Sequence, residues 1–287
     1  MNLCRFTVQT GPFSFSINSN ISYLVQELGK MYEGFSECTP NQFIDFNISI
    51  QHSKGLRRII KPQANFFLDE FSPFKPLPAI QAYPMLEWGM NWCMAQHAHH
   101  YLMLHAGVVE KNGKAIVLPA TSGSGKSTLT AALVFNGWRL FSDEIALFSL
   151  KDELLYPCSR PINLKNESIE IIKNYIPDAV FSNIALDTHK GTVSLLKPPA
   201  DSVRRMHEPA PLGMYVFPTY KAGSAARLNT ISPEQALRNL TQHSFNYHII
   251  GKSGFELLVK QLQTTPCYEF QYSSFDDAID VFNGLVD

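Results

Sequence analysis

Residues 115–130 read Ala115-Ile-Val-Leu-Pro119-Ala-Thr-Ser-Gly123-Ser-Gly125-Lys126-Ser127-Thr128-Leu-Thr130. An apolar run leads into a glycine-bearing loop, and a stretch suited to a helix follows from Lys126. Glycine at 123 and 125 lets backbone N–H groups turn inward around an anion with no Cβ in the way. A helix that starts near Lys126 turns the partial positive charge of its N-terminus toward the same anion. In such a loop Ser122, Ser124 and Thr128 sit around the phosphates and Lys126 reaches the terminal ones. The Ser127 hydroxyl completes an oxygen shell about Mg²⁺. These residues imply a site for ATP and Mg²⁺. The full pattern is G-x-x-x-x-G-K-[ST], and its first glycine position is occupied by Ala120. Alanine serves there if its φ is negative.

Bulk composition narrows the class. The chain has 287 residues, 45% hydrophobic and 17% charged, with a formal net charge of −1. This is the balance of a folded protein with a substantial core. No run of like charge suggests a nucleic-acid partner or a polybasic membrane anchor. The N-terminal residues lack the pattern of a signal peptide, and no apolar run reaches the length of a membrane span. The cysteines at 4, 38, 93, 158 and 267 are scattered and form no C-x-x-C pair. That spacing predicts free thiols and a cytoplasmic setting. His97, His99 and His100 read as the end of a helix and not as a metal site.

Along the chain, alternation over 3–9 and 13–18 about Thr10-Gly11-Pro12 predicts a hairpin. Asn18–Asn20 can cap a helix over 21–32, and strands are expected at 43–50, 57–61 and 65–69. The Pro-rich stretch 71–78 reads as a linker, dividing an N-terminal mixed α+β region (1–78) from a catalytic domain (79–287). A helix over 80–97 precedes a strand, turn, strand, loop, helix, strand succession to about 150. Strands at 214–217 and 227–231 and helices from Pro233 and over 275–285 follow. The expected fold class is α/β.

The segment after the loop helix returns as Trp138-Arg-Leu-Phe-Ser-Asp143-Glu144. An apolar strand ending in two carboxylates belongs beside a phosphate loop, which needs a group to position Mg²⁺ and a base for the attacking hydroxyl. A simple strand-to-turn boundary is the competing reading.

His105-Ala-Gly107, the strand pair and loop that follow, and Gly137–Glu144 together resemble the catalytic domain of HPr serine kinase/phosphorylase. Leu86–Trp92, Arg160–Ser168, Lys190–Pro199 and Phe217–Tyr220 are more similar still to the subgroup called HPr-kinase-related kinase A. The resemblance implies a phosphate-loop core of the type shared with phosphoenolpyruvate carboxykinases, and often an oligomer. It implies that Asp143 is the general base, that Glu144 assists with metal, and that His105 lies near the phosphates. A core histidine is the other reading of His105. The Glu-x-Arg-Gly-x-Gly loop of the HPr kinases has no counterpart here. Glu167, in Lys165-Asn166-Glu167, is the nearest substitute for holding Mg²⁺. Arg160 and Lys190 are candidates for contact with the transferred phosphoryl, with a solvent-facing side chain as the alternative for each.

The function this implies is Mg²⁺-ATP-dependent phosphorylation of a hydroxyl, serine above others, on a small protein or peptide. Two alternatives stand beside it. One is a small-molecule or sugar kinase, for which Val203-Arg-Arg-Met206 would be the lid. The other is a nucleotide-binding scaffold with little turnover.

Overall fold

The alternating N-terminal sequence pairs as an antiparallel hairpin, β1 (Cys4–Thr10) with β2 (Phe13–Ser19), turned at Gly11. The computed structural model describes residues 3–39, 41–121 and 123–286. Helix α1 (Ser22–Met31) follows, then β3 (Phe46–His52), β4 (Gln63–Leu68) and the short β5 (Leu77–Pro78), forming a sheet ordered β1-β2-β3-β4-β5. Helix α2 (Ala82–His97) packs against α1 and against β3 and β4. Its Gly89 lies where a Cβ would fall 2.0 Å from the Phe66 ring.

Three expectations change here. The apolar run at 57–61 is not a strand: Gly55–Arg58 is a 3₁₀ turn with Leu56 and Ile59 exposed. Positive φ at Gly55 and Lys61 breaks extended pairing on both sides of it, and the strand starts only at Gln63. None of Asn18–Asn20 is the N-cap of α1: that position is Ile21, whose side chain makes no cap bond and whose N–H donates back to Ser19 Oγ at 3.0 Å. Asn20 Oδ1 instead accepts from the His52 N–H at 2.9 Å. The stretch 71–78 is more than a connector, because Leu77–Pro78 pairs with β4 and Phe74 packs on the core.

The second half of the chain begins with β6 (Tyr101–Lys111), β7 (Lys114–Pro119), helix α3 (Lys126–Val134), β8 (Arg139–Ser142), β9 (Ile145–Ser149) and β10 (Leu155–Tyr156). Next come β11 (Ile162–Lys165), α4 (Glu167–Tyr175), β12 (Ala185–Thr188), β13 (Gly191–Leu196) and α5 (Ala200–Arg204). The chain closes with β14 (Leu212–Tyr220), β15 (Arg227–Thr230), α6 (Pro233–Gln242), α7 (Tyr247–Ile250), α8 (Lys252–Thr264), β16 (Cys267–Tyr272) and α9 (Phe275–Gly284). Ser232 caps α6 by accepting from the Gln235 N–H, with Pro233 in the first turn as its fixed φ favours.

The large sheet runs β10-β9-β6-β7-β14-β16-β15, with β8 also on β6, and β11-β13-β12 form a third sheet. Strand β6 is long enough to pair with β9 along its first half and β8 along its second. Strands β7, β14 and β16 run parallel, and β7 is buried on both faces, so that Ala115–Leu118 reads as a continuous apolar run. One apolar cluster joins the N-terminal sheet and α2 to β9, β13 and α5. A second surrounds α3, which is buried nearly all round, and a third lies under α6 and α8. Among the described residues no helix is long and apolar enough to cross a membrane.

Candidate active site

The parallel strands β7, β14 and β16 end at Pro119, Tyr220 and Tyr272. Ligands in open α/β sheets bind outside the carboxyl ends of parallel strands, and here that edge opens on a cavity of about 670 Å³. The volume lies in the range of small-molecule sites.

The glycine loop forms one wall of the cavity. Gly123 and Gly125 both have φ of 88°, a left-handed conformation in which glycine carries no steric penalty. At Gly125 space requires glycine as well, since a Cβ would come within 2.6 Å of the Tyr272 hydroxyl and 2.9 Å of Tyr220 Cβ. The same two tyrosines hold the loop. The Tyr272 hydroxyl donates to the Gly125 carbonyl at 3.0 Å, and the Tyr220 N–H donates to the Ser124 carbonyl at 2.9 Å. Ser124 Oγ is buried without a protein partner, and Ser127 and Thr128 line the cavity beside it. Ala120 does not adopt positive φ, so its Cβ is accommodated. Ser122 lies outside the described residues.

Strand alternation puts His105 and Gly107 on one face of β6. His105 lines the cavity, while a Cβ on Gly107 would lie 2.6 Å from Thr130 Oγ1 and 3.5 Å from Lys126 Cγ. The missing side chain lets α3 lie against the strand and delivers Lys126 beside His105. Lys126 Nζ donates to the Asp143 carbonyl at 2.5 Å and stands 3.4 Å from His105 Nε2.

Asp143 and Glu144 occupy the corner between β8 and β9, both paired to β6, where the Ala106 N–H donates to the Glu144 carbonyl at 3.2 Å. Neighbouring residues at this corner differ in reach: Glu144 lines both the large cavity and the small void behind it, Asp143 only the void. Glu144 opens on the large cavity, with its Oε2 3.3 Å from His105 Nε2. Burial works to raise its pKa, but the hydrogen bond from His105 and the charges of Lys126 and Lys190 outweigh it. The carboxyl is held well below the usual range. Asp143 instead faces a void of about 20 Å³ behind the cavity. Its Oδ2 accepts from the Asn163 N–H at 3.2 Å and its Oδ1 has no protein partner. Burial pushes its pKa up and the Glu144 charge adds to the rise, opposed by the Lys126 charge and the nearby Ser127 side chain.

The opposite wall comes from the β11–α4 turn and the β12–β13 hairpin. Gly191, at φ 86°, leaves room for Asn166, whose Oδ1 accepts from the Thr192 N–H at 3.1 Å. That lock brings Lys190 and Glu167 to the cavity. Lys190 Nζ sits 5.1 Å from the centre of the Trp88 ring. Burial lowers its pKa despite the pull of Glu144.

Arg160 is placed otherwise than expected. It does not line the large cavity. Its guanidinium is buried against Glu87, with Nη1 3.3 Å from Oε2, and a second nitrogen donates to Asn91 Oδ1. It belongs to the wall of the small void. The cationic stretch 203–206 is also remote: Arg204 pairs with Asp201 and Arg205 with Glu208, while Val203 and Met206 enter the core.

Among the described residues no group of three or more His, Cys, Asp or Glu could hold a metal by itself. Mg²⁺ commonly takes only one or two carboxylates and completes its shell with phosphate oxygens and water. Ser127, Glu144 and Glu167 on the cavity wall fit that need, with the free Asp143 Oδ1 behind Ser127. Sequence reasoning missed Asn163, Tyr220 and Tyr272 as individual site residues. The first two lie in segments already singled out by resemblance; Tyr272 carried no signal.

No protein-family model matches the chain, and no curated protein matches it. Among solved structures, one that matches is the Hpr(Ser) kinase/phosphatase from Coxiella burnetii. The match has a TM-score of 0.29 and 11% sequence identity, covering 64% of this chain and 93% of that one.

Proposed function

We propose that this chain is a Mg²⁺-ATP-dependent kinase that phosphorylates a serine hydroxyl on a small protein or peptide. The observation that carries the reading is the contact of Glu144 Oε2 with His105 Nε2, 3.3 Å apart, in the cavity lined by the glycine loop and Lys126. A loop able to cradle phosphates and a carboxylate on the wall of the same cavity are the two parts that hydroxyl phosphorylation needs.

In this reading the loop amides, Lys126 and Thr128 bind the β- and γ-phosphates, and Lys190 faces them from the opposite wall. Ser127 and Glu167 would hold Mg²⁺, which when bound neutralises developing phosphate charge. Asp143, buried against Ser127, orients that hydroxyl. Glu144 exchanges its expected role with Asp143, because Glu144 is the carboxylate that opens on the cavity. It takes the proton from the acceptor hydroxyl as the oxygen bonds to the γ-phosphorus and the bond to the β-phosphate oxygen breaks. His105 holds the carboxylate in place. Positioning and electrostatics supply most of the acceleration.

Incubating the protein with γ-labelled ATP, Mg²⁺ and a cell extract tests the reaction class. Label on a serine of a polypeptide, absent with Lys126→Ala, is expected. Label found only in a small metabolite would favour a small-molecule kinase, and binding without any transfer would favour a scaffold.

A further inference from the structure

Behind the large cavity, three buried polar atoms without a protein partner belong to residues that line one void. They are Asp143 Oδ1, Asn163 Oδ1 and Arg160 Nε. The residues are only 4%, 4% and 6% exposed. Leaving such groups unpaired costs about 1–3 kcal/mol each, and a structure this well packed rarely bears three together. The void measures about 20 Å³, enough for one water and too small for anything larger.

The chemistry of the three atoms selects the occupant. Two are acceptors and one is an N–H donor, matching a water that accepts one hydrogen bond and donates two. A cation would suit the two oxygens but would be repelled by the guanidinium. The Cys158 thiol, also on the wall and beside the guanidinium, is engaged with Met94 Sδ at 3.8 Å and Thr10 Oγ1 at 3.7 Å. We propose that one buried water joins the Arg160 Nε–H to Asp143 Oδ1 and Asn163 Oδ1, making Arg160 a positioning residue for the carboxylate behind Ser127. Arg160 is itself fixed by Glu87, which also accepts from the Tyr32 hydroxyl at 2.6 Å. The orientation of Asp143 is therefore set through the water by Glu87 of α2 and by Tyr32 just past the end of α1, far along the chain from the loop. The water rests on geometry alone; its effect on the metal side of the site rests on the function proposed above.

Two measurements test it. A high-resolution crystal structure should show one water within about 2.7–3.2 Å of all three atoms. A metal ion, no density, or a water that does not reach Arg160 Nε overturns the proposal. The second is nucleotide binding to Arg160→Lys, which keeps a cation opposite Glu87 and loses the planar Nε–H. Affinity for ATP with Mg²⁺ should fall about 10-fold, in the range seen when outer partners of metal ligands are changed. Affinity for ATP without metal should hold. An equal effect with and without Mg²⁺, or none, removes the positioning role. If the wild type binds no nucleotide, the functional reading fails while the electron density still decides the water.

Discussion

Glu144→Gln is expected to lower the rate of phosphoryl transfer by about 10²–10⁴-fold, the usual contribution of a positioned general base, while ATP binding stays near wild type. The carboxylate opens on the cavity and is held below the usual range despite burial, through His105, Lys126 and Lys190. It is thus the ionised carboxylate on the cavity wall, with its Oε2 3.3 Å from His105 Nε2. Glutamine keeps the shape and can still meet His105, but it cannot take the proton of the acceptor hydroxyl. Asp143→Asn is the control that separates the two carboxylates. With Asp143 behind Ser127, that change should mainly weaken the dependence on Mg²⁺. Transfer kinetics and calorimetric binding on both variants check this. Full transfer by Glu144→Gln, with loss confined to Asp143→Asn, would return the base to Asp143.

Arg160→Met should destabilise the fold by about 3–5 kcal/mol, the typical cost of removing one member of a buried ion pair. Glu87 would be left buried with only neutral partners such as the Tyr32 hydroxyl. Burial already raises the pKa of Glu87, opposed chiefly by Arg160. Removing the cation raises it further, so the variant's Glu87 is penalised as the ion and tolerated as the acid. The stability deficit should be small in acid, near the ordinary carboxylate pKa and below, and grow as pH rises through the folded value. Denaturant unfolding at several pH values measures this. Replacing Glu87 by Gln in the same chain should recover much of the loss. A deficit independent of pH would mean that the cost is lost packing and not the stranded charge.

The parts of this structure that local sequence encodes were legible. The N-terminal hairpin, α2, the β6–β7 pair, the glycine loop and the start of α3 each follow from alternation, turn residues or capping. So did the presence of two carboxylates after the loop helix. Their placement was not, because it depends on β8 and β9 both pairing with β6, a long-range register that puts Glu144 on the wall of the large cavity and leaves Asp143 off it. Arg160 looked like a phosphate-facing cation because its partner, Glu87, is more than seventy residues away. Leu56 and Ile59 looked like strand residues, and only the flanking positive φ at Gly55 and Lys61 denies them a pairing partner. Tyr272, which props the loop at Gly125, comes from the last strand and no motif marks it.

Calorimetric titration of ATP with Mg²⁺ into wild type and Lys126→Ala tests the central claim most directly. Lys126 presents an ammonium at the cavity between His105 and the loop, and a charged hydrogen bond to phosphate is worth about 1.5–3 kcal/mol. The wild type should bind one nucleotide per chain, and the variant should bind at least about 10-fold more weakly. No binding by the wild type, or equal binding by both proteins, would contradict the assignment of this cavity to a nucleoside triphosphate.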